Sequence, residues 1–243
     1  MSLSSNSIIH FTNSSDALKG ILQNGFKVHI CQENIILGGE LIEINVPMVS
    51  FCDIPLSKIK EHIIKYGEYG VGFTKEWAEK NGLNPVLYVE KNSLLSHSLL
   101  ASIARSIGDG CWTLEEKQDV DIIRYIKNYK ADLVRKSGTT PDYRFSDERE
   151  WRYVPSNTDE CVYLFGSKSS ISDDKWTSAL TVLENMSLKF EPNDIKYIFI
   201  KNDREISDFI SFLRQNKGGE YSLYDIERLT TRIITSEQIF TDV

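Results

Sequence analysis

A short apolar strand that runs directly into a capped helix constrains this chain more than any other feature. Ser7-Ile8-Ile9-His10-Phe11 has the β-branched and aromatic content of a strand. Asn13-Ser14-Ser15-Asp16 then offers several N-cap side chains, and Leu18, Ile21 and Leu22 share one helical face. Asn24-Gly25 ends the helix, because Gly adopts a left-handed conformation at little cost. A chain that opens β-turn-α and repeats that alternation cannot be an all-helical bundle or an all-β sandwich.

The alternation continues. Lys27 to Glu43 is polar and Gly-containing and reads as a loop with a short strand inside it. Val46 to Phe51 is a second strand, and Asp53 is placed to cap a helix with Pro55 near its first turn. That helix carries Leu56, Ile59 and Ile63 and stops by Gly67. Tyr69-Gly70-Val71-Gly72-Phe73 is a strand whose glycines mark close backbone approach. Thr74 to Asn81 is a short helix, and Pro85 to Val89 a strand. From Asn92 to about Lys136 the pattern is helical, broken by a Gly108-Asp109-Gly110 turn, which predicts a helical hairpin inserted at about 92–137. Strands follow at Arg149–Val154, Val162–Phe165, Ile195–Ile200 and Ile233–Thr235, with helices at Asp173–Glu184 and from about Arg204. No repeat or long linker is visible. The fold class expected is α+β: one domain over 1–243, with a mixed-sheet core and a helical insertion.

Composition narrows the function. The 243 residues carry 28 basic and 35 acidic side chains, a net charge of −7, with 41% hydrophobic residues. That excludes a disordered chain and argues against gripping nucleic acid by bulk charge. No apolar run approaches the ~20 residues that span a bilayer, and the first residues lack the apolar core of a secretory signal. Neither membrane attachment nor export is therefore expected. Cys31, Cys52, Cys111 and Cys161 are far apart and form no C-x-x-C pair, which fits reduced cytoplasmic thiols and predicts no zinc site. Phosphate-loop, dinucleotide-fingerprint, zinc-protease and nucleophile-elbow motifs are all absent. Lys127, Lys130, Arg135 and Lys136 make a local basic stretch on the expected insertion helix, which serves a solvated face or a phosphate backbone.

The most unusual run is Phe145-Ser146-Asp147-Glu148-Arg149-Glu150-Trp151-Arg152-Tyr153-Val154. As a strand, it places Glu148, Glu150 and Arg152 on one face and Arg149, Trp151 and Tyr153 on the other. The two carboxylates then stand ~7 Å apart along the strand with an Arg beside them. Such a pair stabilises a developing cation or holds a sugar hydroxyl; the plainer account is a face of charge pairs in water. Likewise His10 in its apolar strand reads first as a packed residue, Ser50 as a strand end, and Tyr66 and Tyr69 as packing rings.

Two resemblances add to these residues. His10-Phe11-Thr12, Ala17-Leu18 with Ile21-Leu22 and Gly25, and Pro47 with Val49-Ser50-Phe51-Cys52-Asp53-Ile54-Pro55 resemble the AbiGi proteins of abortive phage infection. Tyr66-Gly67, Tyr69-Gly70, Gly72-Phe73, Trp77, Asn84-Pro85-Val86 and Asp147 to Pro155 extend the likeness along the chain, weakly in the insertion and after Pro155. It implies a defence role and a toxin or antitoxin partner, with no defined chemistry. More distantly, the His10-x-Thr12 opening is similar to DarT-type ADP-ribosyltransferases, which modify DNA bases. By that analogy the core is ADP-ribosyltransferase-like and NAD is the substrate. Glu150 then takes the catalytic place, assisted by Glu148. His10 and Thr12 hold the NAD ribose, Ser50 lies near the nicotinamide, and Tyr66 or Tyr69 stacks on it. The Glu148-x-Glu150 pair also resembles the E-x-E of other ADP-ribosyltransferases. A carboxylate fixed on a ribose hydroxyl suits that chemistry, since the leaving nicotinamide generates an oxocarbenium-like charge. The resemblance implies a macromolecular target, protein or nucleic acid, and no metal. The alternative is a non-catalytic antitoxin on the same scaffold.

Overall fold

The computed structural model describes residues 5–106, 121–135, 138–155, 164–165, 168–217 and 221–242. It is mixed α+β and divides into two compact units. The first comprises Met1–Lys27, Ser50–Leu83 and Ser187–Val243; the second comprises Val28–Val49 and Asn84–Met186.

In the first unit the opening β-turn-α folds as its sequence dictates. The strand is Ser7–Thr12 and the helix Ser15–Asn24, with the Ser14 hydroxyl accepting from Ala17 N–H and Gly25 at φ 78° closing it. The strand pairs antiparallel with Tyr69–Thr74, which in turn pairs antiparallel with Ile195–Ile200. Ile195–Ile200 runs parallel to Ile233–Thr235. On the other side of the first strand, Ile9 faces Cys52. Glycines let these strands close up, as their spacing suggested: a side chain at Gly70 would meet the His10 carbonyl, and one at Gly72 the Tyr197 ring. One core layer gathers Ile9, Ile54, Ile59, Ile63, Phe199 and Ile239. A second is aromatic: Phe26, Phe51, Phe73 and Phe190 interlock, and Phe73 stacks on Trp77 with centroids 4.2 Å apart. Asp53, expected to cap a helix, instead accepts from Ser5 N–H and pairs with Lys75 at 2.8 Å; the turn Leu56–Lys58 starts after Pro55. The helices Leu223–Thr230 and Ser236–Asp242 had no counterpart in the sequence reading.

The second unit corrects two expectations. Lys27 to Glu43 is not a loop: His29–Leu37 and Glu40–Cys52 form a long antiparallel hairpin. Gly38 and Gly39, at φ 57° and 87°, make its two-residue turn, a conformation that side chains with a Cβ resist. The helical insertion is helical only in part. Of its described residues, Leu94–Ser106 is a helix but Ile126–Asn128 and Lys130–Arg135 are strands, and Gly138–Arg144, just beyond it, is a third strand; the expected Gly108-Asp109-Gly110 turn lies outside the described residues. Ile126–Asn128 runs parallel to Leu87–Val89, and the other two form a hairpin. Ile123 and Ile126 suit either period over so short a window, and pairing with Leu87–Val89 decided it. The basic stretch is thus on strands, with Lys127 turned inward and Lys130 paired to Asp142 at 3.2 Å. Lys136 lies outside the described residues. The core of this unit is Ile35, Leu37, Ile44, Val46, Met48, Val89, Ile103, Ile123, Ile126 and Val154.

Among the described residues no helix is long and apolar enough to cross a membrane. Cys31 and Cys52 stand as thiols, while Cys111 and Cys161 lie outside the described residues.

Candidate functional site

The run around Glu150 builds a buried cluster of charged side chains, and it lies wholly in the second unit. Phe145–Glu148 is a 3-10 turn, and Glu150–Tyr153 is a strand. Between them Arg149 adopts a left-handed conformation, φ 47° and ψ 50°, a strained choice for a residue with a Cβ. The strand alternation therefore starts at Glu150 and does not include Glu148. Instead of standing apart along one strand, the two carboxylates converge on the Lys127 ammonium, at 3.3 Å from Glu148 and 2.9 Å from Glu150.

Arg152, fully buried, completes the cluster. Its Nε donates to Glu150 Oε1 at 2.8 Å and its Nη2 to Glu150 Oε2 at 3.2 Å. Nη2 also pairs with Glu33 at 3.2 Å, and Nη1 donates to the Arg124 carbonyl at 2.9 Å. Tyr143 donates to Glu148 at 3.0 Å, and the Glu150 N–H donates to the Tyr88 hydroxyl at 2.9 Å. These are not charge pairs in water, because Glu148 and Glu150 are only 7% and 6% exposed. Burial by itself would push the Glu150 carboxyl up, but Arg152 and Lys127 outweigh it and hold the pKa down at about 2. Burial likewise opposes the charges of Lys127 and Arg152, and the surrounding glutamates raise both above their ordinary values. Burial pushes the Tyr88 hydroxyl up to about 12 and the Cys31 thiol, near Glu33, to about 11. Neither group is therefore ionised at neutral pH.

A cleft of about 400 Å³ opens beside this cluster, lined by Glu33, Lys127, Asp132 and Phe145 among others. The Lys127 ammonium sits 5.0 Å from the centre of the Phe145 ring, a cation–π distance.

The other candidates from sequence belong to the first unit. His10 Nδ1 lies 2.8 Å from the Ser50 carbonyl, and its ring meets Phe26 and Phe51 edge-on. His10 and Ser50 are thus brought together through the backbone of Ser50. Thr12 ends the first strand opposite Tyr69. The Tyr69 hydroxyl donates to Glu205 at 3.0 Å, and burial pushes it up to about 12. Tyr66 is 37% exposed, with its ring 5.7 Å from that of His62. Within the second unit the structure joins Glu148 and Glu150; within the first it joins His10 to Ser50. Glu33, Tyr88 and Tyr143 were not singled out by the sequence, and Lys127 appeared only as part of a surface-like basic stretch. Among the described residues no group of three or more His, Cys, Asp and Glu is placed to hold a metal ion.

The fold and this cluster define an α+β protein with an acid-rich buried ion network, a class found in many unrelated functions. Sequence comparison goes further. Residues 24–201 match the family model described as "Putative abortive phage resistance protein AbiGi, antitoxin". A curated relative, the abortive phage resistance protein AbiGi of Lactococcus lactis subsp. cremoris, is 26% identical over 220 residues, covering 81% of this chain and 88% of that one. No solved structure matches the chain. The chain belongs to the AbiGi family, which places it among abortive phage resistance proteins.

Proposed function

We propose that this chain acts in abortive phage defence as the antitoxin-side, partner-binding member of a toxin–antitoxin pair. One observation carries the reading. Both oxygens of Glu150 are already engaged by Arg152 and Lys127 through three N–H bonds of 2.8–3.2 Å. A carboxylate that must accept a ribose hydroxyl needs lone pairs directed at substrate, and here the cations of its own fold take three of the roughly four acceptor sites on its two oxygens. The family description as an antitoxin agrees with a binding role. A second reading, NAD-dependent ADP-ribosyl transfer with Glu150 and Glu148 as its carboxylates, draws support from the cleft that adjoins Lys127 and Glu33.

The two readings separate in one pair of assays. Co-expression with the product of the adjacent gene is expected to restore growth to cells that the product alone arrests, and the two proteins are expected to co-purify. Purified chain incubated with labelled NAD and cell lysate is expected to transfer no label. Label transfer that disappears in Glu150→Gln overturns the binding reading in favour of the enzyme. Failure both to co-purify and to relieve toxicity removes the antitoxin role.

A further inference from the structure

We propose that Arg228 and Arg232 of the first unit form a binding site for a phosphoryl group. The inference stands apart from the partner-binding reading and uses none of the residues around Glu150.

The helix Leu223–Thr230 ends in a turn that keeps the two arginines together: Thr231 and Arg232 donate their N–H groups to the Arg228 and Leu229 carbonyls at 3.2 and 3.0 Å. Residues four apart on such a turn are neighbours, and like charges there repel. The Arg232 charge is disfavoured, first by burial and then by Arg228. The Arg228 side chain is 28% exposed, yet its Nε and Nη2 are buried without a hydrogen-bond acceptor. Asp225 lies 3.7 Å from Nη2 but is held in the helix cap. Its Oδ2 accepts from the Ser222 hydroxyl at 2.5 Å, and its N–H donates to the same hydroxyl at 3.2 Å. Among the described residues no carboxylate pairs with Arg232.

The helix dipole accounts for cations at this end, but it supplies no acceptor. The nearby carbonyls are engaged elsewhere. Those of Glu227 and Arg228 accept from the hydroxyls of Thr230 and Thr231 at 2.7 Å, that of Leu229 from the Arg232 N–H, and that of Arg232 from the Ile198 N–H at 2.9 Å. Buried donors without a partner are costly, and two cations held together add to that cost. Water can meet a donor but leaves the like charges together, whereas an oxyanion answers both. Two planar forks offer donors from separate directions, which suits the three terminal oxygens of a phosphoryl group better than the two of a carboxylate. Tyr224 precedes Arg228 by one turn, its ring 5.8 Å from the guanidinium carbon, and at 71% exposure it offers a ring surface to a planar group attached to the phosphate.

Titration of the isotope-labelled full chain with inorganic phosphate, followed by NMR at an ionic strength held constant with chloride, tests this. The assigned Nε–H resonances of Arg228 and Arg232 are expected to shift together and to saturate. Acetate is expected to bind about tenfold more weakly than phosphate or worse. Arg228→Lys keeps the charge but removes the fork, and it should weaken phosphate binding by about tenfold or more, as should Arg232→Met. Phosphate should also raise the melting temperature of wild type and leave that of Arg228→Lys unmoved. Tighter binding of adenosine monophosphate than of phosphate identifies a phosphate ester as the ligand; equal or weaker binding identifies the free ion. The site falls if neither resonance saturates with phosphate, if acetate binds as well as phosphate, or if Arg228→Lys binds as wild type does. The first two outcomes are read on wild type alone, so a variant that fails to fold leaves the test intact.

Discussion

Arg152→Ala is expected to destabilise the chain by about 3–5 kcal/mol, because breaking a buried ion network leaves uncompensated charge in the interior. Arg152 is 0% exposed and serves Glu150, Glu33 and the Arg124 carbonyl at once. Its removal leaves Glu33 and Glu150 without the guanidinium they share. Urea denaturation reads the loss directly as a fall in midpoint. The double variant Arg152→Met with Glu150→Gln is expected to cost clearly less than the sum of the singles, since it removes both the cation and one charge left behind. Acid titration supplies a second check. Glu150 has its pKa lowered from 4.5 to about 2 by Arg152 and Lys127 against the effect of burial, so its ionised form favours the folded state. That contribution is present in full above the unfolded value and is lost as pH falls through about 2. It corresponds to about 3 kcal/mol. In Arg152→Ala the loss of stability on acidification should be shallower. A variant within about 1 kcal/mol of wild type, with an unchanged acid profile, would show that the cluster is not held together by these pairs.

The same cluster marks the boundary of what the sequence disclosed. Alternation along Glu150, Trp151, Arg152 and Tyr153 is visible in the residues and the strand keeps those two faces, but the Glu150 and Arg152 face is buried rather than in water. The left-handed Arg149 is not visible, because nothing in the local sequence demands it. Hence Glu148 was assigned to the strand face although it belongs to a turn. Lys127 was hidden for a different reason. Its neighbours Ile123 and Ile126 satisfy helical spacing, and only the distant strand Leu87–Val89 makes Ile126–Asn128 extended. The long hairpin at His29–Leu37 was legible in principle: Gly38-Gly39 between Leu37 and Leu41 is a turn signal. Local capping chemistry at Ser14 placed the first helix correctly because that interaction reaches only three residues along the chain. The distant partners that give the site its electrostatics are Glu33, Tyr88 and Lys127, and sequence distance conceals them.

Gly67→Ala is expected to be the most damaging small substitution in the first unit, lowering stability by about 3 kcal/mol or more. Gly67 ends the helix Lys60–Tyr66 with φ 122° and donates to the Ile63 carbonyl at 2.9 Å. That φ is one L side chains rarely adopt. A Cβ there would also overlap the Thr12 carbonyl and the Asn13 Cα, and both are backbone atoms that cannot rotate aside. The next residue is pinned too, since the Ser236 hydroxyl donates to the Glu68 carbonyl at 2.7 Å. Relief would require moving the end of the first strand, where Thr12 pairs with Tyr69. Gly82→Ala separates conformation from contact. Gly82 also has a positive φ, 71°, but a Cβ there has no neighbour within 4 Å. It should cost only the left-handed backbone penalty, about 1–2 kcal/mol. At this chain length each kcal/mol moves the melting temperature by about 2–4 °C, so Gly67→Ala should melt at least several degrees below Gly82→Ala. Equal melting temperatures would mean that the helix end and the first strand are not in the close contact that only glycine permits.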